Sequence, residues 1–141
     1  MAQVQEKPEA KKAWHWKAGI IGSLAGGLVF GMMMAMMGML PMIAGIVHSQ
    51  SAGIGFLVHM MISFIFGIVF TVFTGIVKWN GIISGVVYGI VLWLLFPFIL
   101  MPMMMRTPNM AFHFTTASMM SLVGHMIYGL VTGVVYKSMT K

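Results

Sequence analysis

Residues 55–75 read GFLVHMMISFIFGIVFTVFTG, an uninterrupted apolar stretch that decides the fold of this chain. An apolar run of about 20 residues is long enough to cross the hydrocarbon core of a bilayer as a helix. Small or polar side chains recur in this stretch at four-residue steps, a spacing that places them on one stripe of a helix. They are Gly55, His59, Ser63, Gly67 and Thr71. The stretch therefore predicts a membrane-spanning helix that carries a histidine on its small-residue stripe.

Three further apolar runs lie around this stretch, so the length rule predicts four spans, at about residues 18–40, 52–76, 80–101 and 116–136. No Asp, Glu, Lys or Arg falls inside any of them. Of the 141 residues, 60% are hydrophobic and 7% are charged, whereas a soluble domain has about 25% charged residues. We therefore predict an all-α integral membrane protein, with a polar tail over residues 1–16 and one transmembrane domain over residues 17–141.

The basic residues predict the orientation of the four spans. Seven lysines lie before the first span, between the second and third, and after the fourth, and these three segments share one side of the membrane: Lys7, Lys11, Lys12, Lys17, Lys78, Lys137 and Lys141. Arg106 is the basic residue on the other side. Because cytoplasmic segments are enriched in Lys and Arg, both termini are predicted to be cytoplasmic. The net charge of +6 therefore indicates topology, and no nucleic-acid partner is expected.

The two halves of the chain match, which predicts two tandem helical hairpins in a parallel repeat. The matches, at offsets of 62 and 66 residues, are Gly19, Ser23 and Gly27 with Gly81, Gly85 and Gly89, and His59, Ser63 and Gly67 with His125, Gly129 and Gly133. We expect spans one and three to meet through their glycine grooves across a pseudo-two-fold axis, which would put His59 and His125 at equal depth.

Small residues at four-residue spacing let membrane helices approach closely, and this is the usual means by which such helices associate in lipid. The positions expected to pack helices in this way are Gly19, Ser23, Gly27, Gly31, Gly67, Gly81, Gly85, Gly89, Gly129 and Gly133.

The histidine pair is the first candidate site. Ionisable side chains inside a span are costly to bury, so they are candidates for function. Two imidazoles that face each other across a two-fold axis could ligate a b-type haem axially, which would make His59 and His125 cofactor ligands. The alternative is structural: each neutral imidazole hydrogen-bonds a hydroxyl or a backbone carbonyl nearby, with Ser63, Ser121 and Tyr128 available.

Methionine is the second candidate, because the chain has 19 methionines and they cluster toward the side opposite the termini. Thioethers are soft ligands that suit Cu(I), and histidines share that side. The candidate copper ligands are His48, His113, Met37 and Met119. Consecutive methionines point all around a helix, however, so they also suit packing against other helices or a partner protein.

Two segments resemble a family of small uncharacterised prokaryotic four-span membrane proteins. They are SLVGHMIYGLVTGVVY, residues 121–136, with its G-H-x-x-Y-G motif, and the Gly/Met-rich GGLVFGMMMAMMGMLP, residues 26–41. The resemblance covers most of the chain beyond residue 17, and it implies a four-span fold and a location in a prokaryotic inner membrane.

These patterns favour a non-catalytic role, since the two acidic residues, Glu6 and Glu9, both lie in the polar tail. The first prediction is an accessory subunit that packs in the bilayer against a larger membrane complex of respiratory or oxidase type. A protein that binds haem b or copper through the histidines and methionines is the alternative, and a small channel or carrier lined by the polar stripes is a third.

Overall fold

The chain forms a bundle of four long helices, as the apolar runs predict. The computed structural model describes residues 13–104, 106 and 114–141. The helices are α1 (Trp16–Met36), α2 (Leu40–Ala44), α3 (Ala52–Val77), α4 (Gly81–Leu95), α5 (Met101–Met104) and α6 (Thr116–Met139), with a 3₁₀ turn at Gly45–Val47 and a π-helical segment at Phe96–Leu100. Within the described ranges the chain contains no strand. In the described part of the chain, four continuous stretches are long and apolar enough to cross a membrane: α1, α3, α4 with its extension to Met104, and α6.

The first span is shorter than predicted, because α1 ends at Met36 and not at residue 40. Gly38 follows with a φ of +68°, a left-handed conformation that glycine adopts without strain and that commonly ends helices. Pro41 lies in the first turn of α2. A proline is tolerated there because the first helical N–H has no partner in any case.

The connection between α1 and α3 is ordered and packs on α3. Leu40, Ile43 and Ala44 of α2 are buried. A methyl group at Gly55 would overlap the carbonyl oxygen of Leu40, so α2 lies directly on the backbone of α3. His48 follows the 3₁₀ turn and is exposed.

The third span changes its helical geometry partway along. Regular α-helix stops at Leu95, and Phe96–Leu100 continues as a π-helix before α5 resumes. Pro97 lies in this segment. Its ring cannot fit a regular helix interior and it has no N–H to donate, which accounts for the change in helical geometry. π-Segments occur frequently at functional sites.

The helices pack in the order α3, α1, α6, α4. α1 lies between α3 and α6, and α4 packs mainly on α6 and more lightly on α3. The expected meeting of spans one and three is wrong: α1 and α4 form no comparable interface. Each glycine groove instead faces the second helix of its own hairpin, because a groove fits a neighbour that presents an equally small surface.

Candidate ligand cavity

A cavity of about 470 Å³ lies between α1, α3, α6 and the π-helical segment. It occupies the end of the bundle where α1 ends and α6 begins, which we call the methionine end. Its lining includes seven methionines, namely Met33, Met34, Met37, Met39, Met42, Met101 and Met120, and four phenyl rings, namely Phe30, Phe66, Phe96 and Phe98. The described lining contains no charged side chain. Small-molecule sites are typically cavities of this size, mostly apolar and with a few polar groups.

Both intramembrane histidines contribute to this lining, together with Ser63, Ser121 and Tyr128. At 1.5 Å per residue, His59 and His125 lie roughly 10–14 Å from the starts of α3 and α6. The cavity therefore reaches from the methionine end into the middle of the bundle.

Close packing of α1 on α3 places His59. A methyl group at Gly27 would overlap the side chain of Ser63, and one at Gly31 would come within 3.1 Å of the His59 ring. The Nε2 atom of His59 lies 2.9 Å from the carbonyl oxygen of Gly27. Since a carbonyl can only accept, Nε2 carries the proton and donates across the two helices.

His125 is held differently, within its own helix. Its Nδ1 atom lies 2.8 Å from the carbonyl oxygen of Ser121 and 3.3 Å from the hydroxyl of the same residue. Nδ1 therefore carries the proton and donates to that carbonyl. On the other side of the hairpin, a methyl group at Gly89 would overlap the carbonyl oxygen of His125, so α4 lies against this turn of α6.

One aromatic ring, that of Phe30, contacts both histidines. Its centroid lies 5.6 Å from that of His59 and 4.9 Å from that of His125, edge to face in both cases. Phe30 is buried, and a methyl group at Gly124 would overlap its ring. The two imidazoles therefore occupy one neighbourhood, as the repeat suggests, but a phenyl group packs against both.

A chain of hydrogen bonds ties three helices together beneath the cavity. The hydroxyl of Ser23 on α1 donates to the backbone carbonyl of Ser63 on α3. The same oxygen is bonded to the hydroxyl of Tyr128 on α6, and because the serine proton is already used, tyrosine is the donor. Ser23 is fully buried, so these bonds form away from water.

The four candidate copper ligands do not come together around the cavity. Met37 lines it, whereas His48 and Met119 are exposed and outside the lining. His113 lies outside the described residues. Within the described part of the chain there is also no cluster of three or more His, Cys, Asp or Glu side chains that could hold a metal.

The ten positions expected to pack helices all lie within the bundle. Nine are buried and Gly81 is half-buried. Gly19 lies against Gly67 and Thr71 of α3, and Gly85 lies against Gly129 and Gly133 of α6.

A second small-residue stripe on α1 escaped the sequence reasoning. Gly22 and Gly26 face Thr132 and Tyr128 of α6, and Phe30 continues the same stripe into the cavity. Its four-residue spacing is visible in the sequence, but this stripe lies one position away from the repeat-related stripe on which the prediction rests.

Fold and cavity together define a small multi-pass α-helical membrane protein with a ligand-sized cavity among its spans. Residues 16–141 match a family of unknown function (DUF6789), and the chain belongs to that family. No curated protein matches the chain. Solved structures also give no match.

Proposed function

We propose that this protein is a non-catalytic membrane protein that binds an apolar small molecule from the bilayer. The cavity carries this proposal: its volume is that of a small-molecule site, and methionine and phenylalanine are the most frequent residues in its wall. Methionine is flexible and polarizable, so such a wall adapts to an apolar guest. The histidines at its inner part are the polar groups that orient the guest.

A cavity-filling variant with a matched control tests the proposal. Ile62 lines the cavity, whereas Ile65, three residues further along α3, is 51% exposed and outside the lining. The protein is purified from its membrane in mild detergent, extracted with organic solvent and analysed by mass spectrometry. We expect one molecule per chain in the wild type and in Ile65→Trp, and its loss in Ile62→Trp. Equal lipid content in all three samples would contradict the proposal.

The haem alternative is weakened by two observations on the histidines. The Nε2 atom of His59 is engaged by the carbonyl oxygen of Gly27, and Phe30 packs against both rings. Axial ligation through Nε2 would require His59 to leave this bond, and room for the haem ring system would require the phenyl ring to move. The channel alternative is weakened because the polar stripes lie in helix contacts, as Gly19 against Thr71 illustrates.

An accessory-subunit role in a respiratory or oxidase-type complex is a second candidate. It is favoured by exposed methionines at the methionine end, where Met36 is 82% and Met103 is 67% exposed. Unbranched thioether side chains adapt to partner surfaces. The small-residue stripes no longer support this role, because they are buried inside the bundle. Stoichiometric partners that co-purify in mild detergent, and that are lost in Met36→Lys, would support it.

We also propose the tandem-repeat origin and the cytoplasmic location of both termini in a prokaryotic inner membrane. Equivalent contacts support the repeat: Gly27 lies against His59 and Ser63, and Gly89 lies against His125 and Gly129. The lysine distribution supports the orientation. In the structure, Trp14 stacks on Trp16, the first residue of α1, and Lys17 follows it, which is a typical interfacial arrangement.

A further inference from the structure

The hydrogen bonds of the two histidines fix which ring atoms are left for a ligand. Since Nε2 of His59 and Nδ1 of His125 donate to carbonyl groups, the remaining nitrogen of each neutral ring is an acceptor with a lone pair. These atoms are Nδ1 of His59 and Nε2 of His125, and neither bonds any described residue.

The free nitrogens are not sealed inside the protein. Among the described residues, the fully buried side-chain polar atom that lacks a hydrogen-bond partner is Oγ of Ser84. The two free ring nitrogens also lack a partner, so they are not fully buried. Both histidines line the cavity. An acceptor that faces an apolar cavity without a partner costs free energy, and a donor supplied by the ligand would remove that cost.

The hydroxyl groups around the cavity are mostly occupied as donors. Ser63 donates to the carbonyl oxygen of His59 at 2.9 Å and Ser118 to that of Thr115 at 2.8 Å, while Tyr128 donates to Ser23. The donors that remain are the Ser121 hydroxyl, next to His125, and the Thr115 hydroxyl, which accepts from the amide of Ser118 and is exposed just before α6. Beside the histidines, a ligand with two donors therefore finds two imidazole acceptors, while a ligand with two acceptors finds one hydroxyl.

The other residues that line the cavity indicate the chemical class of the rest of the ligand. The absence of charged side chains from the described lining disfavours a carboxylate or a phosphate. Phenyl rings prefer to pack edge to face or offset against other aromatic rings, and thioethers pack well against aromatic edges. Phe30 already packs in this way against both imidazoles.

From these observations we propose that the cavity binds a lipid-soluble hydroquinone, whose two hydroxyls donate to Nδ1 of His59 and Nε2 of His125. Its hydroxyls lie at opposite ends of one aromatic ring, which suits two acceptors on two different helices. The oxidised quinone has acceptors only, so the cavity selects the reduced form. This inference rests on the proposed function and names the chemical class of its ligand.

Two substitutions retain the structural hydrogen bonds and replace the free ring nitrogen with a carboxamide oxygen that lies away from its position. The side-chain NH₂ of Gln stands near the position of a histidine Nε2, so His59→Gln keeps a donor toward Gly27 and loses Nδ1. The side-chain NH₂ of Asn stands near the position of Nδ1, so His125→Asn keeps a donor toward Ser121 and loses Nε2. Both variants therefore preserve the contacts that hold the helices.

The test uses three probes with the same alkylated ring: the hydroquinone, its di-O-methyl ether and the quinone. Binding to the full chain in detergent is measured by calorimetry, without oxygen so that the hydroquinone stays reduced. The ether has no donor and also reports partitioning into the micelle. We expect the hydroquinone to bind wild-type protein about tenfold or more tightly than the ether or the quinone, the ratio that one or two net hydrogen bonds supply. This preference is expected to shrink in His59→Gln and in His125→Asn.

The other outcomes separate this inference from the proposed function. One outcome is that ether and hydroquinone bind wild-type protein equally and that Ile62→Trp abolishes the binding of both. The cavity then binds apolar ligands whether or not they carry hydrogen-bond donors, and the hydroquinone inference is overturned. If no probe binds and extracts of the purified protein contain no stoichiometric apolar molecule, the proposed function fails as well. Uptake of one Cu(I) per chain that blocks the hydroquinone, and that is lost in both histidine variants, would assign the cavity to a metal and overturn the inference.

Discussion

At the scale of single residues, the backbones of α4 and α6 are in direct contact within the second hairpin. A methyl group at Gly85 would overlap the carbonyl oxygen of Gly129, and one at Gly129 would overlap that of Gly85. No flexible side chain is available to move aside at this contact. Glycine is therefore required by the approach of the two helices.

Replacing Gly85 with alanine should push α4 and α6 apart. Overpacking of this kind typically costs about 1–3 kcal/mol, and a thermal melt in detergent should show a lower midpoint. Gly53→Ala is the matched control, since its new methyl would meet Oγ of Ser51 at an ordinary 3.7 Å. Equal midpoints for the two variants would show that the α4–α6 contact tolerates a methyl group.

The Tyr128–Ser23–Ser63 chain makes a second prediction at this scale. Ser23→Ala removes both hydrogen bonds and leaves the tyrosine hydroxyl without its partner, while Tyr128→Phe removes one bond together with its donor. Interhelical hydrogen bonds in membranes contribute about 0.6–2 kcal/mol each, so Ser23→Ala should destabilise the protein more. Ser138→Ala, which loses an exposed bond to Val135, serves as the reference in the same unfolding assay. A larger effect in Tyr128→Phe would contradict the proposed direction of these bonds.

At the scale of elements, the short α2 behaves as a cover over the start of α3. The carbonyl group of Leu40 packs directly on Gly55. α2 is only five residues long and is not part of any of the four spans. A helix of that length is not stable by itself in water, so its packing on α3 holds it.

Gly55→Ala should therefore release α2 and leave the spans in place. The new methyl would overlap the Leu40 carbonyl, and the neighbouring amide of Ala44 would lie 3.3 Å away. Hydrogen exchange read by mass spectrometry should become faster in residues 40–47 and stay unchanged in α6. Gly53→Ala again provides the comparison within the same helix, and unchanged protection of α2 in Gly55→Ala would refute this account.

At the scale of the whole molecule, the sequence predicts the class of fold better than the arrangement of its parts. Apolar length determines whether a helix can span, and this property is local, so the four spans were readable. Which helix fills a groove depends on every competing surface, and α1 carries two small-residue stripes of nearly equal quality. The second, Gly22 with Gly26, is the one that brings α6 and not α4 against α1.

The candidate site was predictable to a similar extent. His59 and His125 were found because a histidine is conspicuous in an apolar span. Phe30 was not, since a phenylalanine in such a span carries no signal until its neighbours are known. The tautomers could not be read from the sequence either, because they depend on the carbonyl groups of Gly27 and Ser121.

The proposed orientation can be tested with single thiols, since the chain has no cysteine of its own. Gln50 lies between α2 and α3 and is exposed, and Lys141 follows α6. With cytoplasmic termini, Gln50→Cys should react with an impermeant maleimide on intact cells, and Lys141→Cys should react only after permeabilisation. The cysteine-free wild type gives the background. The reverse labelling pattern would invert the topology.

The central position of α1 has a consequence for biosynthesis. Helices enter the membrane in chain order, so α3 can cover the Gly19–Gly27 face of α1 soon after it is inserted. The neighbouring face, with Gly22 and Gly26, stays uncovered during the synthesis of α3 and α4 until α6, the last of the four, is made. α4 also finds its main partner only then. A nascent chain that stalls before α6 therefore leaves two separate surfaces uncovered in the lipid, where quality-control proteases and chaperones can recognise them.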